Sequence, residues 1–233
     1  MKQSLAYRMM IWAGLAVLLI WSLGPVYWTF ASALTPTEDF SARPIHFFPQ
    51  NITFDHFARI FGIGIERIGG VEVWAQFRAA LFNSIVTSAL ATVLCVAISA
   101  LGAYAFTRLD FPGRKTLFIL VVATLAIPAY AVLIPLYRIL ISLHMIDTYT
   151  GIALIYVSAY LPLSLWLLRS VFESLPIALE EAAQLDGAGR LYIFFNIVLP
   201  LAGPGLTATA ILTFLGAWGQ YLIPLIFSPA QTK

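Results

Sequence analysis

The residues best placed to do chemistry lie in one stretch, Leu179-Glu180-Glu181-Ala182-Ala183-Gln184-Leu185-Asp186-Gly187, which continues to Ile197-Val198-Leu199-Pro200. Its carboxylates invite an acid–base reading, but such pairs need convergent groups, and adjacent residues on a helix point about 100° apart. Glu180 and Glu181 therefore diverge. His46, His56 and His144 are isolated and lack metal-ligand spacing. Cys95 is the only cysteine and sits in an apolar run, which excludes a disulfide framework and a thiolate metal site. No glycine-rich phosphate cradle is present. With no engine of its own, the chain offers a surface instead. Pro176 opens a helix rich in Glu and Ala, Gly187 breaks it, and a second amphipathic piece from Arg190 to Ile197 is stopped by Pro200. Ala182 and Ala183 leave a shallow face into which a partner fits, and Asp186 and Arg190 are spaced to pair on a helix.

The elements that position this surface are set by composition. Of the residues, 61% are hydrophobic and 10% charged, against about 45–50% and about 25% in an ordinary soluble domain. So few charges cannot cover a water-facing surface, and the expected fold is an all-α polytopic membrane protein. A net charge of +2, spread along the chain, gives no nucleic-acid patch. A bilayer core of ~30 Å takes about 20 apolar residues per helix. Uncharged runs place spans at Met9–Leu34, within Ala79–Thr107, at Thr116–Tyr137 with Pro128 and Pro135 inside, and at Thr148–Leu168 with Asp147 as the expected cap. The first run is longer than a signal-peptide core. Leu191 to Thr232 carries no charge and as one helix would be roughly twice a bilayer long, so it divides into an interfacial stretch to Pro200 and a fifth span at 201–227. The organisation is 1–34 (N-terminus and first span), 35–78 (extracytoplasmic segment), 79–168 (spans two to four), 169–200 (cytoplasmic loop) and 201–233 (fifth span and chain end).

Basic residues flank the loop at 108–115, whereas the turn at 142–149 has none. This bias puts the N-terminus and the 169–200 loop in the cytoplasm. No span carries an ionisable residue in its interior, which argues against a proton-coupled carrier or an ion pump; an ion-coupled secondary carrier is the distant alternative. Ser84, Ser88 and Thr92, with Ser99 and Ala103, form small-residue stripes suited to close helix approach. Asn83, Tyr130, Trp218, Gln220 and Tyr221 are the polar and aromatic groups placed to meet a polar substrate at mid-membrane.

The 179–200 stretch resembles the EAA motif of ABC importer permeases: Glu181-Ala182-Ala183, then Gly187, then Ile197, Leu199 and Pro200, all at that family's spacing. Ile127-Pro128, Ile134-Pro-Leu-Tyr137, Asp147-Thr-Tyr-Thr-Gly151, Ser174-Leu-Pro176, Phe214 to Trp218 and Ile223-Pro-Leu225 resemble its carbohydrate-specific, maltose-type branch. The likeness runs from Leu5 to Pro229. It implies a type I ABC importer transmembrane fold in the inner membrane, with 169–200 as the coupling loop. Glu180, Glu181, Ala182, Ala183, Asp186, Gly187, Ile197, Leu199 and Pro200 would then meet an ATP-hydrolysing subunit. It also implies a second homologous permease, two ATP-binding subunits that hold ATP and Mg, and an extracytoplasmic sugar-binding protein. This chain itself would carry no cofactor and no catalytic residue. Relatives commonly follow the Trp with Asn and an acidic residue, where this chain has Gly219-Gln220. They have six spans, so the sixth is expected to be missing here. The implied cargo is a neutral sugar, with glycerol 3-phosphate or an amino sugar as alternatives.

Overall fold

The computed structural model describes residues 5–41, 47–63, 67–68 and 71–228. The chain divides into two compact units, Met1–Arg78 and Ala79–Lys233.

The first unit is built on α1 (Leu5–Ala33), apolar all round as a lipid-embedded helix must be. A 3-10 turn at Thr37–Ser41 and the short helix α2 (Asp55–Ile60) follow. A hydrogen bond from Thr53 N to the Leu34 carbonyl, 2.9 Å long, ties the loop back to the end of α1, and the His56 ring bonds the Thr35 carbonyl at 3.0 Å. Two-residue strands β1 (Arg67–Ile68) and β2 (Val71–Glu72) pair antiparallel.

The second unit takes its first helix from α3 (Val73–Arg108). At ~1.5 Å per residue, its 36 residues outrun the bilayer core. The expected third span is two helices. α4 (Arg114–Ala123) gives way to 3-10 turns at Thr124–Ala126 and Ala129–Val132 before α5 (Leu133–Ser142) begins. Pro128 is the cause: it has no N–H, and its ring forces Ile127 out of the helical region, to φ −75° and ψ 125°. Pro135 falls in the first turn of α5, where a missing N–H breaks no helical bond.

The long helix α6 (Tyr149–Ser174) is capped by Thr148, whose Oγ1 accepts from Gly151 N at 3.0 Å. The expected cap, Asp147, stands one residue earlier at φ 60°. There its N–H donates to the Phe227 carbonyl at 2.9 Å, and its Oδ1 accepts from Ser228 Oγ at 2.7 Å. α7 (Ala178–Leu185) and α8 (Arg190–Ile193) form a helical hairpin, continued by a π turn at Phe194–Val198 and by α9 (Leu199–Leu201). The chain then bends by 76° into α10 (Gly203–Trp218). α10 ends at Trp218, and α11 (Leu222–Phe227) is a separate turn and a half, so the expected continuous span at 201–227 is interrupted at 219–221.

Among the described residues three helical stretches are long and apolar enough to cross a membrane, Ala6–Ala33, Val73–Arg108 and Tyr149–Ser174, or four if the bent pair Arg190–Leu201 and Gly203–Trp218 is one span. The core lies where α3, α6 and the α8–α10 region meet, around Ala103, Leu168, Phe172, Ile193 and Val198. Ser88, Thr92, Ser99 and Ala103 are buried on α3, and Ser84 is half-buried. A Cβ on Gly102 would stand 2.8 Å from Leu165, and one on Gly216 would stand 2.7 Å from the Tyr160 ring. Small residues thus set the helix separations where lipid supplies no hydrophobic drive.

Candidate functional site

The hairpin begins where α6 stops. Pro176 follows Leu175, and Glu180 and Glu181 fall in the first turn of α7, where negative charge complements the helix dipole. The 100° turn between neighbours sends them apart. Glu180 is buried at 4% exposure, and Glu181 is exposed.

The buried carboxylate meets Arg108, the last residue of α3, at 2.6 Å between Nε and Oε1. The same guanidinium donates through a terminal nitrogen to the Phe172 carbonyl at 3.0 Å and the Leu175 carbonyl at 3.3 Å. These carbonyls lie where α6 ends, and that of Phe172 also accepts the Leu175 N–H at 3.2 Å. Tyr104, one turn back on α3, donates its hydroxyl to Glu180 Oε2 at 3.4 Å and packs its ring 5.0 Å from that of Phe194. One charged pair thus ties α3, α6 and α7 together. Removing either partner would strand the other charge, at about 3–5 kcal/mol.

The spacing from Ala183 to Gly187 follows from how α7 ends. Gly187 sits at φ 86°, in the left-handed region open to glycine. Its N–H bonds the Gln184 carbonyl at 3.0 Å, and the N–H of Ala188 reaches back to the Ala183 carbonyl at 2.9 Å. That is a Schellman termination, with Ala183 and Ala188 packed against the same core. Because the left-handed residue breaks the helical register, Asp186 and Arg190 do not pair among the described residues, contrary to their spacing.

Behind the turn, Ile193, Phe194 and Val198 are buried, and Ile197 and Leu199 pack against them. Glu181, Ala182, Asp186, Gly187 and Pro200 are exposed. Leu185 at 90% and Leu191 at 71% exposure hold apolar side chains outward on the same hairpin. Of the coupling residues expected from sequence, Glu180 therefore faces inward, Ala183, Ile197 and Leu199 form the backing, and the rest form the outer face.

A second feature is a cleft of 330 Å³ between α3, α6 and the α10–α11 junction. Trp218, Gln220 and Tyr221 all line it, together with Ser84, Thr87 and Tyr156. None of its lining residues is charged. Gln220 Nε2 donates to the Tyr160 hydroxyl at 2.9 Å, which leaves its carbonyl oxygen as an acceptor. Trp218 stacks on Phe214 with centroids 5.7 Å apart. Asn83 does not line the cleft; it is buried, and its Oδ1 accepts from the Tyr149 hydroxyl at 2.7 Å. The Tyr130 side chain lies outside the described residues. Sequence reasoning passed over Arg108, Tyr104 and Tyr160. An arginine ending a long apolar run was the available signal for the first, and nothing marked the two tyrosines.

Residues 95–229 match the model of the family described as binding-protein-dependent transport system inner membrane component. The diacetylchitobiose uptake system permease protein NgcG of Streptomyces coelicolor is 32% identical over 223 residues, 94% of this chain and 69% of that protein. The trehalose transport system permease protein SugB of Mycobacterium tuberculosis is 34% identical over 221 residues, 94% of this chain and 76% of that protein. The fold is similar to a chain in the crystal structure of a bacterial ABC transporter involved in the import of the acidic polysaccharide alginate. That likeness has a TM-score of 0.82 at 23% identity, covering 100% of this chain and 79% of the other.

Proposed function

Because the chain belongs to the family of binding-protein-dependent transport system inner membrane components, we propose that it is one membrane-spanning subunit of an ATP-driven ABC importer that takes a neutral carbohydrate across the cytoplasmic membrane. The observation that carries this reading is the α7–α8 hairpin, anchored from within by Glu180 and bare on its outer face. Glu181, Ala182, Asp186 and Gly187 make that face the seat for an ATP-binding subunit, with Ala183, Ile197 and Leu199 as its backing and Pro200 ending it. Outward leucines at 185 and 191 support a surface covered by protein, since exposed apolar groups on a water-facing hairpin are costly.

ATP and Mg²⁺ belong to two such partner subunits, where hydrolysis takes place, and this chain contributes no catalytic group. A second, homologous permease completes the pathway, and an extracytoplasmic sugar-binding protein delivers the cargo. The N-terminus and the 169–200 loop face the cytoplasm; residues 35–78 lie outside. Trp218, Gln220 and Tyr221 supply the stacking faces and hydrogen-bonding groups that a sugar takes, whereas an anionic cargo would call for cationic groups in the cleft lining. Similar relatives include permeases named for diacetylchitobiose and trehalose and others named for sulfoquinovosyl glycerol and glycerol 3-phosphate, so the uncharged cleft lining is what supports a neutral saccharide.

The test is purification from membranes in mild detergent, followed by an ATPase assay with trehalose, maltose and diacetylchitobiose, each presented with its binding protein. Co-purification of an ATP-binding subunit, with hydrolysis stimulated by one of these sugars, is the expected result. A subunit that emerges alone contradicts the importer assignment. Stimulation by glycerol 3-phosphate and by no sugar contradicts the neutral cargo.

A further inference from the structure

We infer that Arg108 is a positioning residue for energy coupling: through its pair with Glu180 it makes α7 move with α3 and α6, so that motion of the hairpin reaches the spans. The inference rests on the importer reading above, and it concerns a residue outside the motif that carries that reading.

The backbone of α7 packs chiefly against α8 and the π turn, its neighbours in sequence. Beyond the packing of Ala183 on the core, its directional tie to the long helices is polar and local. The Arg108 guanidinium bonds the Glu180 carboxylate and two carbonyls at the end of α6, all from one position at the end of α3. Both side chains are nearly sealed from solvent, at 10% and 5% exposure. A buried ion pair is poor value as a stabiliser, because desolvating two charges offsets most of their attraction. Its directional bonds are better suited to fixing how elements sit against each other. A guanidinium also makes bonds in several fixed directions at once, which an ammonium cannot. Glu180 and Glu181 thereby divide two tasks between neighbouring positions. Glu181 faces the partner, and Glu180 passes the load inward.

The test uses the whole importer in liposomes, with Leu225→Cys on the cleft wall as a maleimide-reactive reporter. Leu225 is 44% exposed, and the native Cys95 is buried. Labelling is compared between the nucleotide-free state and the state trapped with ATP and vanadate. In the otherwise unaltered importer the labelling rate changes between the two states. In Arg108→Ala that change is lost, although the ATP-binding subunits still co-purify and still hydrolyse ATP. Arg108→Lys restores part of the change. Glu180→Gln, which keeps size and shape, loses it as Arg108→Ala does, and it carries the test if the alanine variant fails to fold. Persistence of the change in both Arg108→Ala and Glu180→Gln overturns the inference. Loss of the ATP-binding subunit from both variants overturns it equally, because the pair would then hold the shape of the docking face and transmit nothing. If the unaltered chain itself binds no ATP-binding subunit, the importer reading fails first, and this inference falls with it.

Discussion

Glu180 and Glu181 are neighbours in sequence, yet one is locked to Arg108 at 2.6 Å inside the protein and the other projects from its surface. Chemically identical groups so placed must respond differently to the same substitution. Glu181→Ala removes a charge from the outer face of the hairpin, proposed above as the docking face, and leaves the fold intact. It should weaken binding of the ATP-binding subunit roughly tenfold, a loss of about 1.4 kcal/mol. Glu180→Ala leaves Arg108 buried without its carboxylate and should lower stability by about 3–5 kcal/mol. Thermal unfolding of the purified subunit, set beside titration with the ATP-binding subunit, separates the two.

Gly187 is required for its backbone and not for its lack of bulk. A Cβ there meets nothing within 4 Å, but φ is 86°. Gly187→Ala should destabilise the hairpin by about 1–2 kcal/mol, and Gly187→Asn by less, since asparagine tolerates the left-handed region. Thermal unfolding midpoints of the two variants check the order.

Gly216 is required for the opposite reason. A Cβ at this position would press into the Tyr160 ring at 2.7 Å. Gly216→Ala should force α10 away from α6 and cost about 1–3 kcal/mol. Tyr160→Leu in the same chain should recover part of that loss, which a double-mutant cycle of unfolding measures.

In the cleft, Gln220 is held by the hydroxyl of Tyr160, which does not itself line the cleft, so Tyr160→Phe frees the amide without changing a lining residue. The half-saturating concentration for uptake of the transported sugar should rise about two- to tenfold, the worth of one hydrogen bond of roughly 0.5–1.5 kcal/mol. Initial rates of uptake into liposomes, measured across sugar concentration, provide the check. An unchanged value would remove Gln220 from the pathway.

How much of this was legible beforehand depends on what each feature leaves in the sequence. Long uncharged runs announce helices α1, α3 and α6, because lipid demands both the length and the composition. Gly187 was legible as a helix stop, since a left-handed turn calls for glycine. The proline-bearing runs were harder. A proline in an apolar segment is consistent with a kinked span or a broken one, and only the extended backbone at Ile127 decides for a break at Pro128. Asp147 carries the residue type of a cap, but the positive φ forced by the turn moves that duty to Thr148. From sequence, Arg108 reads as one of the basic residues of the 108–115 loop. Its role depends on which of two adjacent glutamates turns inward, and that is set by contacts with α3 and α6, far away in sequence. Asn83 left the candidate cleft for the same reason, claimed by Tyr149 from another helix.

The central claim is that the outer face of the α7–α8 hairpin seats an ATP-binding subunit. The most direct measurement places a photo-crosslinking residue at Leu185, 90% exposed at the tip, with a control at Ile52, 68% exposed in the 35–78 segment. After irradiation of native membranes, the cross-linked bands are identified by mass spectrometry. An ATP-binding subunit attached at position 185 and none at position 52 is the expected result. Cross-linking of that subunit at 52 and not at 185, or of the sugar-binding protein at 185, would contradict the claim.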